Sequence, residues 1–325
     1  MTEQTLVSLI IPCYNHEKFL DDCLRSIINQ THNNIELLIC DDCSPDRSYE
    51  ILESYRAQLT ARFARVEIMR NVTNCGVTKN INRMLAMAKG KYIKILASDD
   101  AMAPDAIACM ADYLDAHDDI DVVVSNGIKV SEDEQYPNFT PISAIYEQSP
   151  DFDLHGFFER VATNNPISAP AAMVRMSVYE EYGYYDEQVK VEDFEFWLRI
   201  LKDQAVRFGF LDKQLLYYRL NANSMTSLTG NSDLAARRKR ILFSELDSLK
   251  KFKDYLSPDS YAKIVTNRLM ADQWLAVEYQ LTDWEGELKC YWRNFREKKD
   301  LPLKNKLSYA VFSCRQFIKK QIKRS

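Results

Sequence analysis

The sequence predicts an α/β fold built on a mostly parallel central sheet. Over the first 125 of its 325 residues, short β-branched and aliphatic runs alternate with stretches whose apolar residues recur at helical spacing. Strands that are joined by helices in this order pair in parallel through right-handed crossovers. A further observation indicates a site, because the apolar run at residues 92–98 stops on two adjacent carboxylates, Asp99 and Asp100.

The first part of this alternation contains three strands and three helices. Residues 6–11 form the first predicted strand, which Pro12 ends, and Asn15 is expected to cap the helix that follows. Residues 35–40 and 66–69 form the second and third strands. The three helices carry apolar stripes, made of Phe19, Leu20, Cys23, Leu24, Ile27 and Ile28, then of Ile51, Leu52, Tyr55 and Leu59, then of Ile81, Met84, Leu85 and Ala88.

The fourth strand leads to the two carboxylates. In an open α/β sheet, ligands bind beyond the ends of the strands, so Asp99 and Asp100 are candidate site residues. Two ionised carboxylates side by side repel each other unless a cation or a donor offsets them, and Mg²⁺ and Mn²⁺ prefer carboxylate oxygens. A solvated helix start before Pro104 explains the pair equally well at this point.

The elements beyond residue 100 are less regular. A helix is predicted from about Pro104, a strand at 121–124, a surface loop at 131–150, regular structure at 154–161 and a strand at 171–175. Glu192 and Asp193 begin a further helix, where the helix dipole favours ionised carboxylates. From about residue 231 the chain is predicted to be helical, with no visible catalytic cluster.

Composition and charge exclude several classes of protein. Residues 231–325 carry 21 Lys and Arg against 12 Asp and Glu, which leaves 21 basic and 35 acidic residues in 1–230. An acidic main fold argues against a nucleic-acid binder. No apolar run approaches the roughly 20 residues of a membrane span, and the N-terminus lacks the pattern of a signal peptide, so a cytoplasmic protein with reduced cysteines is expected.

The turn after the first strand excludes a dinucleotide site of the Rossmann type. Such a site needs a Gly-rich turn that lets the pyrophosphate approach the backbone. Residues 12–17 contain no glycine and present side chains instead.

Four segments of the chain, in order, resemble the family 2 glycosyltransferases, which have the GT-A fold and invert the configuration of the transferred sugar. The resemblance covers about residues 5–226. The matching segments are residues 8–15 (Ser-Leu-Ile-Ile-Pro-Cys-Tyr-Asn), 41–46 (Asp-Asp-Cys-Ser-Pro-Asp), 97–100 (Ala-Ser-Asp-Asp) and 192–199 (Glu-Asp-Phe-Glu-Phe-Trp-Leu-Arg).

The resemblance implies a role for each segment. It implies that Asp193 is the general base, supported by Glu192, and that Trp197 and Arg199 lie on the acceptor side. It implies Mn²⁺ or Mg²⁺ on Asp99, with Asp100 as a second metal-site residue. The residues implied to bind the donor nucleotide, uridine in preference to guanosine, are Pro12, Tyr14, Asn15, Glu17, Asp42, Lys79, Ser98 and Asp99.

Three positions depart from the pattern of that family. Ala97 replaces the first acid of the usual Asp-x-Asp motif, and Asn221 stands where relatives often carry a histidine. Many relatives have an arginine at the position of Ile81, so Lys79 is expected to supply the missing positive charge. These departures predict a metal site weaker than is usual in the family.

The implied activity is transfer of a hexose or N-acetylhexosamine from a UDP-sugar to a glycan or an undecaprenyl-diphosphate-linked glycan. The alternatives are a non-catalytic nucleotide-sugar-binding protein with a decayed site, or a sugar nucleotidylyltransferase, which would need a Gly-rich basic loop after the first strand. The expected division is a GT-A domain at 1–228, with a nucleotide-sugar half at 1–125 and an acceptor half at 126–228, and a helical region at 229–325. Residues 301–325 hold seven basic residues and no acid among apolar ones, which predicts either attachment to the inner face of the cytoplasmic membrane or a helix packed on the protein.

Overall fold

The computed structural model describes residues 4–221, 234–278, 285–286 and 288–289. Helices and strands alternate from the N-terminus, and two long helices close the described chain. The elements are β1 (Val7–Cys13), α1 (Leu20–Ile28), β2 (Ile35–Asp41), α2 (Ser48–Arg62), β3 (Arg65–Arg70), α3 (Val77–Leu85), β4 (Tyr92–Ile95), β5 (Ala101–Met102), α4 (Ala106–Ala116), β6 (Val122–Ser131), β7 (Ser143–Ala144), α5 (Phe157–Asn164), β8 (Ala172–Arg175), α6 (Met176–Tyr182), α7 (Glu192–Leu201), β9 (Phe208–Leu220), α8 (Leu234–Lys251) and α9 (Pro258–Glu278).

One mixed sheet runs through the described chain in the order β3-β2-β1-β4-β8-β6-β9-β5, with β7 paired to β6. The first four strands of this order are parallel to one another. Strand β8 is antiparallel to both β4 and β6, whereas β9 runs parallel to β6. The predicted α/β class is confirmed. The parallel arrangement that the alternation predicted holds for β1 to β4, whereas the part of the sheet formed by the later strands is mixed.

Strands β1 and β2 lie in the middle of the core because both faces of the sheet are covered. All seven residues of β2 are buried, and in β1 only Pro12 is partly exposed. The expectation that Pro12 ends the first strand is wrong, since it pairs in register with Cys40 of β2. The carbonyl oxygen of Ile10 accepts a hydrogen bond from the N–H of Leu96, on the β4 side of β1. Backbone groups two residues apart point to the same side, so the nitrogen of Pro12 also faces β4, but beyond the end of that strand. The N–H that proline lacks therefore removes no hydrogen bond from the sheet.

Two other boundaries differ from the sequence prediction. Strand β4 ends at Ile95 and not on the carboxylates, so Asp99 and Asp100 lie in a turn beyond it. Asn15 does not cap α1, which begins five residues later with no side-chain cap. Asn15 instead adopts a left-handed backbone conformation, with φ of 56°, which asparagine tolerates better than most residues.

The helices α8 and α9 pack on the sheet-containing part of the chain. Their buried residues belong to one hydrophobic core with those of α5 and α7. Ion pairs and hydrogen bonds fasten the contact, because Lys251 of α8 pairs with Asp186 and Arg268 of α9 donates to the carbonyl oxygen of Ala162 (2.9 Å). The helical prediction for residues after 231 is confirmed where the chain is described. No helix of that described part is long and apolar enough to cross a membrane, and the basic segment 301–325 lies outside it.

Candidate active site

A pocket of about 380 Å³ lies between the carboxyl ends of β1 and β4 and the N-terminus of α7. Its size is within the range of small-molecule sites. Pro12 and Ala97 line it from the strand ends, and Glu192 and Asp193 line it from α7. The other lining residues are Val77, Ile81, Ile95, Asn165, Ala169, Pro170, Tyr185, Val191, Phe194, Ile241 and Glu245.

The loops after β1 and β2 are locked together beside this pocket. Glu17 contributes to these hydrogen bonds through both its backbone N–H and its carboxylate. Tyr14 remains 45% exposed. Neither residue lines the pocket, so the two loops form a separate surface at its edge. The bonds join Asn15 N to Ser44 Oγ (2.9 Å), His16 N to Ser48 Oγ (3.0 Å), Glu17 N to Asp46 Oδ2 (2.8 Å) and Arg47 N to Glu17 Oε2 (3.0 Å).

Asp42 organises the loop between β3 and α3. Its Oδ1 accepts hydrogen bonds from the side chain of Asn71 (2.8 Å) and the amide of Cys75 (2.9 Å), and its Oδ2 accepts one from the amide of Gly76 (2.8 Å). Burial alone would raise the pKa of Asp42, but these donors together lower it below the usual value. The carboxylate is therefore ionised, and Oδ2 retains capacity for another donor.

The two acidic residues of the turn after β4 point in different directions. Asp99 is partly exposed, and its Oδ2 lies 3.9 Å from Nε2 of His16. Asp100 is buried and accepts a hydrogen bond from the backbone N–H of Arg219 (2.9 Å). Burial and the neighbouring charge of Asp99 raise the pKa of Asp100 well above its usual value. Asp100 therefore faces the protein interior, and this correction to the expected metal-site pair follows from its pairing with β9.

Arg219 holds this turn from two sides. Its backbone binds Asp100, and its Nε donates to the carbonyl oxygen of Asp99 (2.9 Å). The guanidinium also pairs with buried Asp22 (2.8 Å) and lies between the rings of Phe19 and Phe139, 5.1 Å from each centroid. A residue of β9 thus fixes the position of Asp99.

His16 is a site residue that the sequence did not single out. Its Nδ1 lies 2.8 Å from the hydroxyl of buried Ser98, which orients the ring so that Nε2 faces Asp99. No group of three or more potential metal ligands occurs among the described residues. One carboxylate and one imidazole still suit a divalent cation that takes its other ligands from a diphosphate and water.

Glu192 and Asp193 occupy the first turn of α7, as predicted, and both face the pocket. Burial raises the pKa of Asp193 from 3.8 to about 6, and the charge of Glu245 adds to the effect. Burial and the charge of Asp193 raise the pKa of Glu192 from 4.5 to about 7. Two carboxyl groups that titrate near neutral pH in a cleft are suited to proton transfer.

Helix α8 contributes to this side of the pocket, where the sequence indicated no functional residue. Ser244 accepts hydrogen bonds from the amides of Lys190 (2.8 Å) and Val191 (2.9 Å), which fixes the chain where it enters α7. The next residue, Glu245, lines the pocket and pairs with Arg268 of α9. Only the apolar spacing of α8 was visible in the sequence, so an acid at one of its positions carried no signal.

The three remaining predicted site residues also lie outside the pocket. Trp197 is 1% exposed and packs on Phe208, so it cannot contact an acceptor sugar. Arg199 is occupied with Glu195 (3.0 Å) and with carbonyl oxygens of the loop after α6. Both residues have structural roles in place of the expected acceptor-side ones. Lys79 is exposed on α3, whereas Ile81 takes the position on the pocket wall.

Comparison with known proteins adds an independent line of evidence. The model of the family described as "Glycosyl transferase family 2" matches residues 8–183. An uncharacterized glycosyltransferase of Haemophilus influenzae is 28% identical over 243 residues, which are 72% of this chain and 71% of that protein.

Solved structures share the fold at low sequence identity. S. aureus TarS 1-349 in complex with UDP-GlcNAc has a TM-score of 0.55 at 18% identity, over 90% of this chain and 92% of that one. For a longer TarS chain the match spans 54% of its length. The mannosyltransferase PcManGT from Pyrobaculum calidifontis, in complex with GDP-Man and Mn²⁺, has a TM-score of 0.56 at 14% identity, over 96% of this chain and 81% of that one.

Proposed function

The chain belongs to glycosyl transferase family 2 and has the GT-A fold, and from that premise we propose that it is an inverting enzyme acting on a UDP-sugar. The donor is a UDP-hexose or UDP-N-acetylhexosamine, and the acceptor is a hydroxyl group of a glycan or a lipid-linked glycan. The observation that carries the proposal is the placement of Asp193 in a pocket whose opposite wall contains the ends of β1 and β4. The product is a β-linked sugar, in the assembly of a polysaccharide.

The donor nucleotide binds on the loops after β1 and β2. The exposed ring of Tyr14 is available to stack on the base, while Asn15 and Glu17 contact base or ribose. Asp42 Oδ2 already accepts a hydrogen bond from the N–H of Gly76, and it accepts the N3–H of uracil with its other lone pair. A guanine ring would need a different arrangement of acceptors, so we prefer uridine. Pro12 lines the pocket beside this surface, buried Ser98 holds the ring of His16, and exposed Lys79 adds positive charge at the edge.

Asp99, with His16 beside it, would hold a divalent cation, Mn²⁺ or Mg²⁺, and that cation would supply positive charge to offset the charge on the leaving diphosphate. The chain contributes the position of these two side chains. Ser98 orients the imidazole, and Arg219 fixes the backbone of Asp99. Asp100 supports the turn from inside the protein.

Asp193 accepts the proton of the acceptor hydroxyl as its oxygen attacks the anomeric carbon. The carbon–oxygen bond to the diphosphate breaks on the opposite face, which inverts an α-linked donor to a β-linked product. A pKa of about 6 suits this step, because the carboxylate is ionised at neutral pH and is still basic enough to take a proton. Glu192 orients the acceptor beside it.

The test is release of UDP from a panel of UDP-sugars in the presence of glycoside and lipid-linked acceptors. We expect release with one donor, dependent on acceptor, and a loss of about 10²-fold or more in Asp193→Asn. Turnover by Asp193→Asn at the wild-type rate would refute the assignment of the base. UDP binding without transfer to any acceptor would favour a non-catalytic nucleotide-sugar-binding protein instead.

Attachment to an anionic membrane surface through residues 301–325 is a separate part of the proposal. It rests on the seven basic residues of that segment. Removing the segment is expected to abolish co-sedimentation with anionic liposomes. If the shortened chain sediments as the full chain does, this part is wrong.

A further inference from the structure

The acceptor side of the pocket is rich in carboxylates. Glu192 and Asp193 reach it from α7, and Glu245 reaches it from α8. No Lys, Arg or His is among the described residues that line the pocket. The remaining lining is largely apolar, so a ligand in this part of the pocket meets carboxylates as its main polar partners.

Two cations lie behind the walls, and each is already bound. Arg268 pairs with Glu245, donates to the carbonyl of Ala162 and lies 4.7 Å from the centroid of the Phe194 ring. Lys94 donates to the carbonyl oxygens of Pro170 and Ala172. Glu245 lines the pocket and Arg268 does not, so the counter-ion of Glu245 lies behind the wall.

Helix α8 is held so that Glu245 keeps this position. Ser244 accepts hydrogen bonds from the two amides that precede α7, and Lys251 pairs with Asp186 of the same loop. Helix α8 therefore fixes the residues that lead into the first turn of α7, and it places Glu245 at the pocket as an additional acidic residue. A residue that served only to pair with Arg268 would not need to line the cavity.

We propose that Glu245, with Glu192 and Asp193, makes this subsite select an acceptor sugar that is uncharged or carries an amino group, and reject one that carries a carboxylate or a phosphate. This inference rests on the proposed function, because it names the acceptor class of the same site. Above pH 7, where Glu192 and Asp193 are mostly ionised, these carboxylates accept hydrogen bonds from sugar hydroxyl or ammonium groups. A uronate or a sugar phosphate would instead place like charges together in a partly desolvated pocket, which is a repulsive element of specificity.

The test compares three probes that differ in charge: octyl β-glucoside, octyl β-glucosaminide and octyl β-glucuronide. The wild-type enzyme, with its preferred UDP-sugar, is expected to use the first two with a kcat/KM at least about tenfold above that for the glucuronide, which corresponds to ~1.4 kcal/mol. Glu245→Gln is expected to narrow that ratio several-fold, because the amide keeps an acceptor for Arg268 and loses the charge.

The matched control is Asp247→Asn, which removes the same charge from an exposed position of α8. It is expected to leave the ratio unchanged. Equal use of glucoside and glucuronide by the wild type, or the same ratio in Glu245→Gln as in the wild type, would overturn the inference. So would a change confined to the choice between UDP-glucose and UDP-glucuronic acid, because it would assign Glu245 to the donor sugar.

Binding measurements separate this inference from the proposed function. Saturation-transfer NMR with UDP present reports which of the three glycosides binds, whether or not a sugar is transferred. If the wild type transfers to no acceptor of the wider panel but binds the glucoside and not the glucuronide, the transferase proposal fails and the charge selection stands. If it transfers a sugar and binds all three equally, the charge selection fails and the transferase proposal stands.

Discussion

Replacing the proposed base, Asp193→Asn, is expected to abolish catalysis and to stabilise the fold. The pKa of Asp193 is raised from 3.8 to about 6, chiefly by burial. A carboxyl group whose pKa is higher in the folded state binds its proton more tightly there, so its ionisation costs stability as the pH rises from 3.8 to 6. The shift of about two units at ~1.4 kcal/mol each amounts to about 3 kcal/mol at pH 8.

The asparagine side chain removes that cost, because it stays neutral at every pH. Urea unfolding followed by circular dichroism is expected to show a gain of up to about 3 kcal/mol for Asp193→Asn at pH 8, and roughly half of that at pH 5. UDP release at pH 8 is expected to fall by about 10²-fold or more in the same variant. The opposite signs of the two effects identify a group that is strained for function.

Glu195→Gln on the same helix is the contrasting control. Glu195 is buried and, unlike Asp193, it is paired with Arg199 at 3.0 Å. Its replacement is expected to cost about 1–3 kcal/mol of stability, because the partly buried guanidinium of Arg199 loses its counter-ion. If Asp193→Asn is destabilised at pH 8, or gains the same stability at pH 5 as at pH 8, the electrostatic account of the site is wrong.

Three further predictions concern the groups around the site. Arg219→Lys is expected to lose about 1–3 kcal/mol of stability and to raise KM for the donor. Lysine keeps the positive charge beside Asp22 but loses the guanidinium hydrogen bond to the backbone of Asp99, so normal stability and KM would show that Asp99 is fixed otherwise. Ser244→Ala is expected to lose about 1–2 kcal/mol of stability and to lower kcat, because the two amides before α7 lose their acceptor. An unchanged kcat would show that this contact of α8 does not affect catalysis. On the acid side of the pH profile, kcat/KM is expected to rise with apparent pKa values between about 6 and 7, which belong to the Glu192–Asp193 pair. Glu245→Gln is expected to shift this rise to lower pH, because the charge of Glu245 raises the pKa of Asp193. An unshifted profile would show that Glu245 does not act on Asp193.

The parallel part of the sheet was predictable from the sequence because its strands are continuous apolar runs. Strands β1, β2 and β4 are buried on both faces, which produces an unmistakable pattern. Strand β9 was missed, although it is the longest strand described. Its pairing with β6 is interrupted by register shifts at Asn126, and the exposed residues 212–214 break the apolar alternation.

The candidate site was predictable where a motif and a strand end coincide. Tyr14, Asp42 and Asp99 lie just beyond the ends of β1, β2 and β4, and Glu192 and Asp193 lie at the predicted N-terminus of a helix, α7. Side-chain direction was not predictable in the same way, since Asp100 turns inward to β9 although it adjoins Asp99. Positions further along α7 descend into the core, which is why Trp197 and Arg199 do not accompany the carboxylates.

Contacts between distant parts of the chain account for the remaining omissions. The role of His16 depends on its contacts with Ser98 and Asp99, which lie some 80 residues later in the sequence. Glu245 lies on a helix whose sequence shows an ordinary apolar stripe, and its place in the pocket depends on how α8 docks on α7. Such long-range placement leaves no local periodicity to detect.

The most direct test of the central claim is the anomeric configuration of the product, measured by proton NMR after reaction of an α-linked UDP-sugar with the acceptor that the panel identifies. We expect a β-linked product from the wild-type enzyme and essentially none from Asp193→Asn, because one displacement with Asp193 as base inverts the anomeric carbon. An α-linked product, or β-linked product formed equally well by Asp193→Asn, would contradict it.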